Sequence, residues 1–183
     1  MQLGNHFLIA VPALADPNFQ RSVTLICQHD EGGALGIVIN RPIELTAGEI
    51  FKQMNIAPAD DRHRDAPVFS GGPVQQERGF VLHDGGRDWA STLPVSDELS
   101  LTTSRDILEA MAEGRGPERY LIALGYAGWA GGQLEMELAQ NAWLSGPADY
   151  EIVFHTPVEE RWERAAERLG VDLHRLSADA GHA

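Results

Sequence analysis

The sequence predicts a single-domain α+β fold, mixed α/β in character, with a largely antiparallel or mixed sheet and helices packed on its faces. Segments rich in β-branched and aromatic residues alternate with capped amphipathic segments, which is the pattern of helices laid on a sheet. The early strand segments are short and joined by turn residues, so they pair antiparallel, while the later strand–helix–strand stretch has room for parallel pairs. A chain of 183 residues with 43% hydrophobic and 22% charged side chains buries a core without disulfide or metal staples. No repeat, low-complexity run or linker divides residues 1–183.

Taken in order, residues 8–11 read as a strand, and Asp16-Pro17-Asn18 supplies turn chemistry after it. Residues 22–28 and 34–40 read as strands joined through Asp30-Glu31-Gly32-Gly33, a hairpin signal. The second of them is apolar on both faces and belongs mid-sheet. Thr46 and Glu49 fit a capping box, with Leu45 and Ile50 as a hydrophobic staple, opening a helix to Met54 or Asn55. Residues 67–69 and 79–83 are strands. Thr103-Ser104-Arg105-Asp106 resembles a second box, with Ile107, Leu108 and Met111 as the apolar stripe and Gly114 as the stop. Residues 120–124 and 150–154 are apolar enough for central strands, and a helix over 133–139 follows Gly131-Gly132. The last helix takes Thr156 as cap, Pro157 at its first position and Gly170 as its end, burying Val158, Trp162, Ala165, Ala166 and Leu169. The small polar tail from Ser177 is expected to be mobile unless docked.

Charge narrows the function. Lys+Arg number 14 against 27 Asp+Glu, a net charge of −13, and Lys52 is the sole lysine. Binding to a phosphate backbone runs on clustered cations, so direct nucleic-acid recognition is not expected. The N-terminus carries no basic region, and no apolar run approaches the roughly 20 residues that cross a bilayer, so neither a signal peptide nor membrane insertion is expected. A single cysteine, Cys27, rules out an internal disulfide and fits a reducing compartment, so a cytoplasmic location is expected.

Most familiar chemistry is missing. There is no Walker loop, no G-x-S-x-G elbow, no H-E-x-x-H pair and no C-x-x-C. The glycine-rich stretch 125–132 lies between a predicted strand and helix, where phosphates bind, but Glu135 and Glu137 would repel an anion, so close backbone packing is the better reading. His29-Asp30 and His83-Asp84 would form a metal site only if their strand ends converged, and no metal or cofactor is expected. Cys27 shares strand parity with Val23 and Leu25, which places its thiol in an apolar face rather than at a redox site. Ser70-Gly71-Gly72-Pro73 is either an anion nest or a strand-breaking turn. Arg78, Arg105 and Asp106 are candidates for a polar cluster. Trp89, Trp129 and Trp143 line a pocket or belong to the core.

The ordered blocks His6-Phe7-Leu8-Ile9-Ala10, Gly36-Ile37-Val38-Ile39-Asn40-Arg41-Pro42, Gly71-Gly72-Pro73, Arg78-Gly79-Phe80-Val81-Leu82-His83, Thr102-Thr103-Ser104-Arg105-Asp106 and Leu124-Gly125-Tyr126-Ala127-Gly128-Trp129 carry a resemblance. So do Gly132-Gln133-Leu134-Glu135, Asn141-Ala142-Trp143-Leu144 and the ending Ala180-Gly181-His182-Ala183. Over essentially its whole length the chain resembles the bacterial YqgE/AlgH family. The resemblance implies one compact domain of mixed strands and helices. Family descriptions speak of transcriptional regulation, one branch being named for alginate synthesis. The resemblance supplies no reaction and no catalytic residue. No helix–turn–helix is evident here and the charge has the wrong sign, so regulation would run through a protein or small ligand.

The expectation is therefore a non-catalytic binding or regulatory domain with an unidentified protein or small-molecule partner, its oligomeric state left open. The expected ligand surface joins Asn40, Arg41, Gly71, Gly72, Arg78, His83, Thr103, Arg105 and Trp129, with Pro42 and Pro73 beside them, at predicted element ends. The alternative is a hydrolase or transferase on a small anionic substrate. In it His83 is the general base and Arg78 or Arg105 the anion clamp.

Overall fold

The computed structural model describes residues 2–85 and 88–180, with side chains as far as 176. Ten strands form one sheet: β1 (His6–Ala10), β2 (Val23–Asp30), β3 (Gly33–Val38), β4 (Pro42–Thr46), β5 (Pro67–Ser70), β6 (Val74–His83), β7 (Thr92–Pro94), β8 (Ser100–Thr102), β9 (Tyr120–Ala130) and β10 (Trp143–Pro147). The main path runs β10-β1-β2-β3-β9-β6-β8-β7, and β4 joins it through β5. All pairs are antiparallel except β5 with β9. The helices are α1 (Ala47–Gln53), α2 (Arg105–Ala112), α3 (Gln133–Ala139), α4 (Tyr150–Phe154), α5 (Arg161–Glu167) and α6 (Leu173–Ala180), with a 3₁₀ turn at Val158–Glu160. This is the expected α+β architecture.

Side-chain alternation along the strands builds three apolar layers. Val23, Leu25 and Cys27 of β2, with Phe80 and Leu82 of β6, face α4, α5 and α6 through Ile152, Val153, Ala165 and Leu173. Val68, Val81 and Ile122 on the opposite face pack under α1 and α2 through Phe51, Ile107 and Met111. Leu8, Ile26, Ala127 and Trp129 pack under α3 with Trp143 and Leu134.

Strand β9 crosses all three layers. Leu121 and Ala123 face the first and Ile122 the second, but beyond Gly125 the parity reverses: Tyr126 packs on the first layer, Ala127 and Trp129 on the third. Gly125 makes the switch at φ +79°, a backbone state that costs other residues dearly. There the chain at Gly71-Gly72 presses on β9. A Cβ on Gly72 would lie 2.1 Å from the Tyr126 carbonyl carbon, and one on Gly71 2.4 Å from the Gly125 oxygen. Gly71 N–H donates to Leu124 O and Gly71 O accepts from Val38 N–H, so this segment ties β3 to β9. Gly71, Gly72 and Gly125 are therefore close-packed backbone, and residues 125–130, expected as loop, belong to the strand.

Several local expectations are corrected. Residues 150–154 form α4, not a central strand: Asp149 caps the turn by accepting from Glu151 N–H, and the sheet position beside β1 is taken by β10, which was not anticipated. Thr156 does not open the last helix. Its hydroxyl and N–H both donate to Glu151 O and close α4. At α2 the Ser104 side chain makes no capping bond; its hydroxyl donates to Asp106, whose other oxygen accepts from Ala90 N–H. The capping box of α1 is present in both directions. From Ser177 the backbone continues α6 to Ala180, while residues 181–183 and Gly86 lie outside the described residues.

Candidate functional site

The cavity that best fits a ligand lies on the sheet face between α1 and α2. Val81, Ile122 and Leu124 form its floor; Ile50 of α1, Met54 at its C-terminal cap and Leu108 of α2 form its walls. Thr102 and Thr103 close one side, and Gln53, Glu77, Ser104 and Arg105 complete the rim. Its volume of ≈ 440 Å³ falls in the range of small-molecule sites, and the lining is mainly apolar with few polar groups, as such sites require. Gly79 keeps it open. A Cβ there would meet nothing within 4 Å, and its φ is not positive, so neither packing nor backbone conformation demands glycine. Glycine inside a strand costs stability, and one that the fold does not need marks space for something else.

Of the expected ligand surface, the structure brings only Thr103 and Arg105 to this cleft. Thr103 N–H holds Ser91 O at 2.9 Å, leaving its side chain at the rim. Arg105 is half exposed, its Nε 3.6 Å from Glu109. Arg78 stands on the exposed part of β6, over the Phe80 ring, and donates to Gln75. Arg41 does lie beside Ser70 and Gly72, but it and Asn40 serve as structural ties. Asn40 accepts from Val23 N–H and donates to Arg21 O, while Arg41 donates to the carbonyls of Pro17, Asn18 and Gln20. The space beside Arg41, Gly72 and Pro73 is ≈ 40 Å³, room for little more than water. Trp129 lies in the third layer, its indole donating to Glu137 at 3.1 Å; Trp143 donates to the same oxygen at 3.0 Å. Trp89 packs in the second layer, apart from them. The nine residues thus occupy separate settings rather than one surface.

His83 lies in the same layer as the cleft but behind Thr102, with no exposure to solvent. Nδ1 donates to Asp84 O at 2.8 Å, and in the neutral ring Nε2 accepts from the Thr102 hydroxyl at 2.7 Å. Thr102 is hydrogen-bonded in turn to Thr92, whose hydroxyl donates to Trp89 O at 3.2 Å. Desolvation holds the imidazole below its ordinary pKa of 6.5, outweighing the Asp84 carbonyl and charge. His63 is lowered too, by burial and by Arg62; its Nδ1 is hydrogen-bonded to the hydroxyl of Tyr120, whose own pKa burial raises. Imidazoles that resist protonation when folded contribute stability above pH 6.5, and that stability is lost as pH falls below it. The thermal midpoint should therefore drop below about pH 6.5, and His83→Gln should flatten that drop, leaving the part due to His63. An unchanged slope in the variant would remove the assignment.

The two His-Asp pairs do not converge. His29 accepts from Leu3 N–H and donates to Glu135 at 3.1 Å, which lowers the Glu135 pKa, while Asp84 pairs with Arg119 at 2.9 Å. Among the described residues no three His, Cys, Asp or Glu side chains are grouped for a metal. Cys27 is buried, its thiol pKa pushed up by desolvation. Among the described residues no helix is long and apolar enough to cross a membrane.

The cleft's apolar residues escaped sequence reasoning because each reads as ordinary core. Gly79, between Arg78 and Phe80 in a strand, was the one available signal.

Comparison with known proteins agrees with the fold. A UPF0301 protein of Xanthomonas campestris pv. campestris is 59% identical over 99% of this chain and 96% of its own length. One from Xanthomonas axonopodis pv. citri is 58% identical over the same shares. The solution structure of the AlgH protein from Pseudomonas aeruginosa superposes with a TM-score of 0.82 at 52% identity, covering 100% of this chain and 97% of that one. A Corynebacterium diphtheriae crystal structure, 19% identical with a TM-score of 0.75, shares the fold over 97% of this chain and 92% of its own. The family model described as AlgH-like matches residues 7–174, and with relatives this similar over nearly their full length, the chain belongs to the AlgH-like family.

Proposed function

We propose that this protein is a non-catalytic cytoplasmic binding domain whose small ligand enters the cleft between α1 and α2, and whose regulatory effect, where it has one, follows from that binding and not from contact with DNA. The observation that carries the reading is the cleft itself: a mainly apolar cavity of ≈ 440 Å³ between two helices, at a glycine that the fold does not need. Space of this kind left unfilled by side chains forgoes packing contacts, which a ligand supplies on binding. The enzyme reading draws little support from His83, since both ring nitrogens serve structural hydrogen bonds and the ring is sealed from solvent.

Gly79→Leu tests the proposal. The new side chain projects into the cleft without meeting existing atoms near Cβ, so the fold should keep or slightly raise its thermal midpoint. Fluorescence of N-phenyl-1-naphthylamine should rise on adding the native protein, and the variant should bind the dye at least about tenfold more weakly, equivalent to ~1.4 kcal/mol. Equal binding by a folded Gly79→Leu variant would sink the cleft as the ligand site.

A further inference from the structure

Resting on that reading of the cleft, we infer the class of its ligand: a small amphipathic monocarboxylic acid, its hydrocarbon part on Val81, Ile122 and Leu124 and its carboxylate on Arg105. The polar groups at the rim are few and unequal. Among the described residues lining the cleft, Arg105 is the one cation and Glu77 the one acid. The ion pair of Arg105 is loose. Its Nε stands 3.6 Å from Glu109, beyond hydrogen-bond reach, with both side chains about half exposed. The two Nη groups, the fork that matches a carboxylate bidentately, make no hydrogen bond among the described residues.

Two residues away, the Thr103 hydroxyl likewise makes none, whereas Ser104 is committed to Asp106 and Ser91. A residue with a guanidinium fork and one with a hydroxyl donor, neither group hydrogen-bonded among the described residues, therefore line the same apolar cleft. That donor set is complementary to an anionic head on an apolar body. A neutral head would leave the fork to water. The cleft's ≈ 440 Å³ suits a single short chain or ring, not a bilayer surface, so the occupant is the free acid in solution. The overall charge of −13 opposes anions in general, which leaves recognition to this local pair and makes the apolar body necessary for binding.

Displacement of N-phenyl-1-naphthylamine by octanoate, octanol and octylamine tests this on the native protein and on Arg105→Gln. Octanoate should displace the dye at concentrations at least about tenfold lower than octanol, a difference worth ~1.4 kcal/mol. Arg105→Gln should abolish that preference while leaving displacement by octanol unchanged. Equal displacement by acid and alcohol, a preference for the amine through Glu77, or a preference for acid that survives Arg105→Gln would each overturn the head-group assignment while the cleft still stands. Failure of the native protein to bind the dye removes the cleft, and this inference with it.

Discussion

Gly72→Ala is expected to abolish stable folding. The added methyl would lie 2.1 Å from the Tyr126 carbonyl carbon, 2.3 Å from its oxygen and 2.4 Å from Ala127 N. All three are backbone atoms, so no side chain can rotate away. Relief requires β9 to separate from the chain beside it, at the point where Gly71 bridges β3 and β9. Overpacking a core typically costs about 1–3 kcal/mol when side chains can yield, and a clash with fixed backbone belongs above that range. A domain of this size has about 5–15 kcal/mol in total. Chemical denaturation should show a loss of more than ~3 kcal/mol, or an insoluble product. A variant within ~0.5 kcal/mol of the native protein would show that the crossing is looser than the geometry implies.

Arg161→Ala carries the second largest expected loss. Arg161 is 6% exposed, yet among the described residues no carboxylate is hydrogen-bonded to its guanidinium. Nη1 donates to Ile39 O at 2.5 Å and Nε to Thr156 O at 2.9 Å, and the group stands 5.3 Å from the Phe69 ring centroid. Desolvation lowers its pKa to about 10, which still leaves it charged at neutral pH. The side chain therefore bolts α5 to the end of β3. Truncation leaves two carbonyls without donors and a cavity beside Phe69, a loss of about 2–4 kcal/mol. Arg161→Lys should recover only part of it, because a single ammonium cannot span both carbonyls in the planar geometry of the fork. Equal stability of the Ala variant and the native chain would mean that solvent satisfies those carbonyls.

Arg161 did not stand out in the sequence, and Gly72 stood out as a ligand contact rather than as a packing constraint; the reason is common to both. What local chemistry decides was legible. Thr46 and Glu49 cap α1 as expected, and the β2–β3 hairpin turns at residues 31–32. What long-range partners decide was not. Residues 150–154 have the composition of a strand, but their fate depends on β10 occupying the place beside β1. Arg164 announces a pair with Glu160 one turn away, whereas Arg161 finds its partner 122 positions back in the chain. The candidate site fared likewise. Asn40, Arg41, Gly71 and Gly72 are polar or small because they hold backbone segments together, a demand that resembles binding when read along one dimension. Thr103 and Arg105 were named only as parts of a wider surface at element ends, and they line the cleft. The floor was hidden, because Val81, Ile122 and Leu124 have the same chemistry whether a helix or a ligand covers them.

The parity reversal at Gly125 has a bearing on how such a chain can change. Upstream and downstream portions of β9 belong to different layers, and one residue sets which way each points. Adding or deleting a single position between Leu124 and Ala127 would turn Ala127 and Trp129 away from α3 and put Tyr126, Gly128 or Ala130 in their place. Length variation should therefore be tolerated in the turns flanking this strand and excluded within it, so that lineages of this fold drift at its margins around a seam of invariant length.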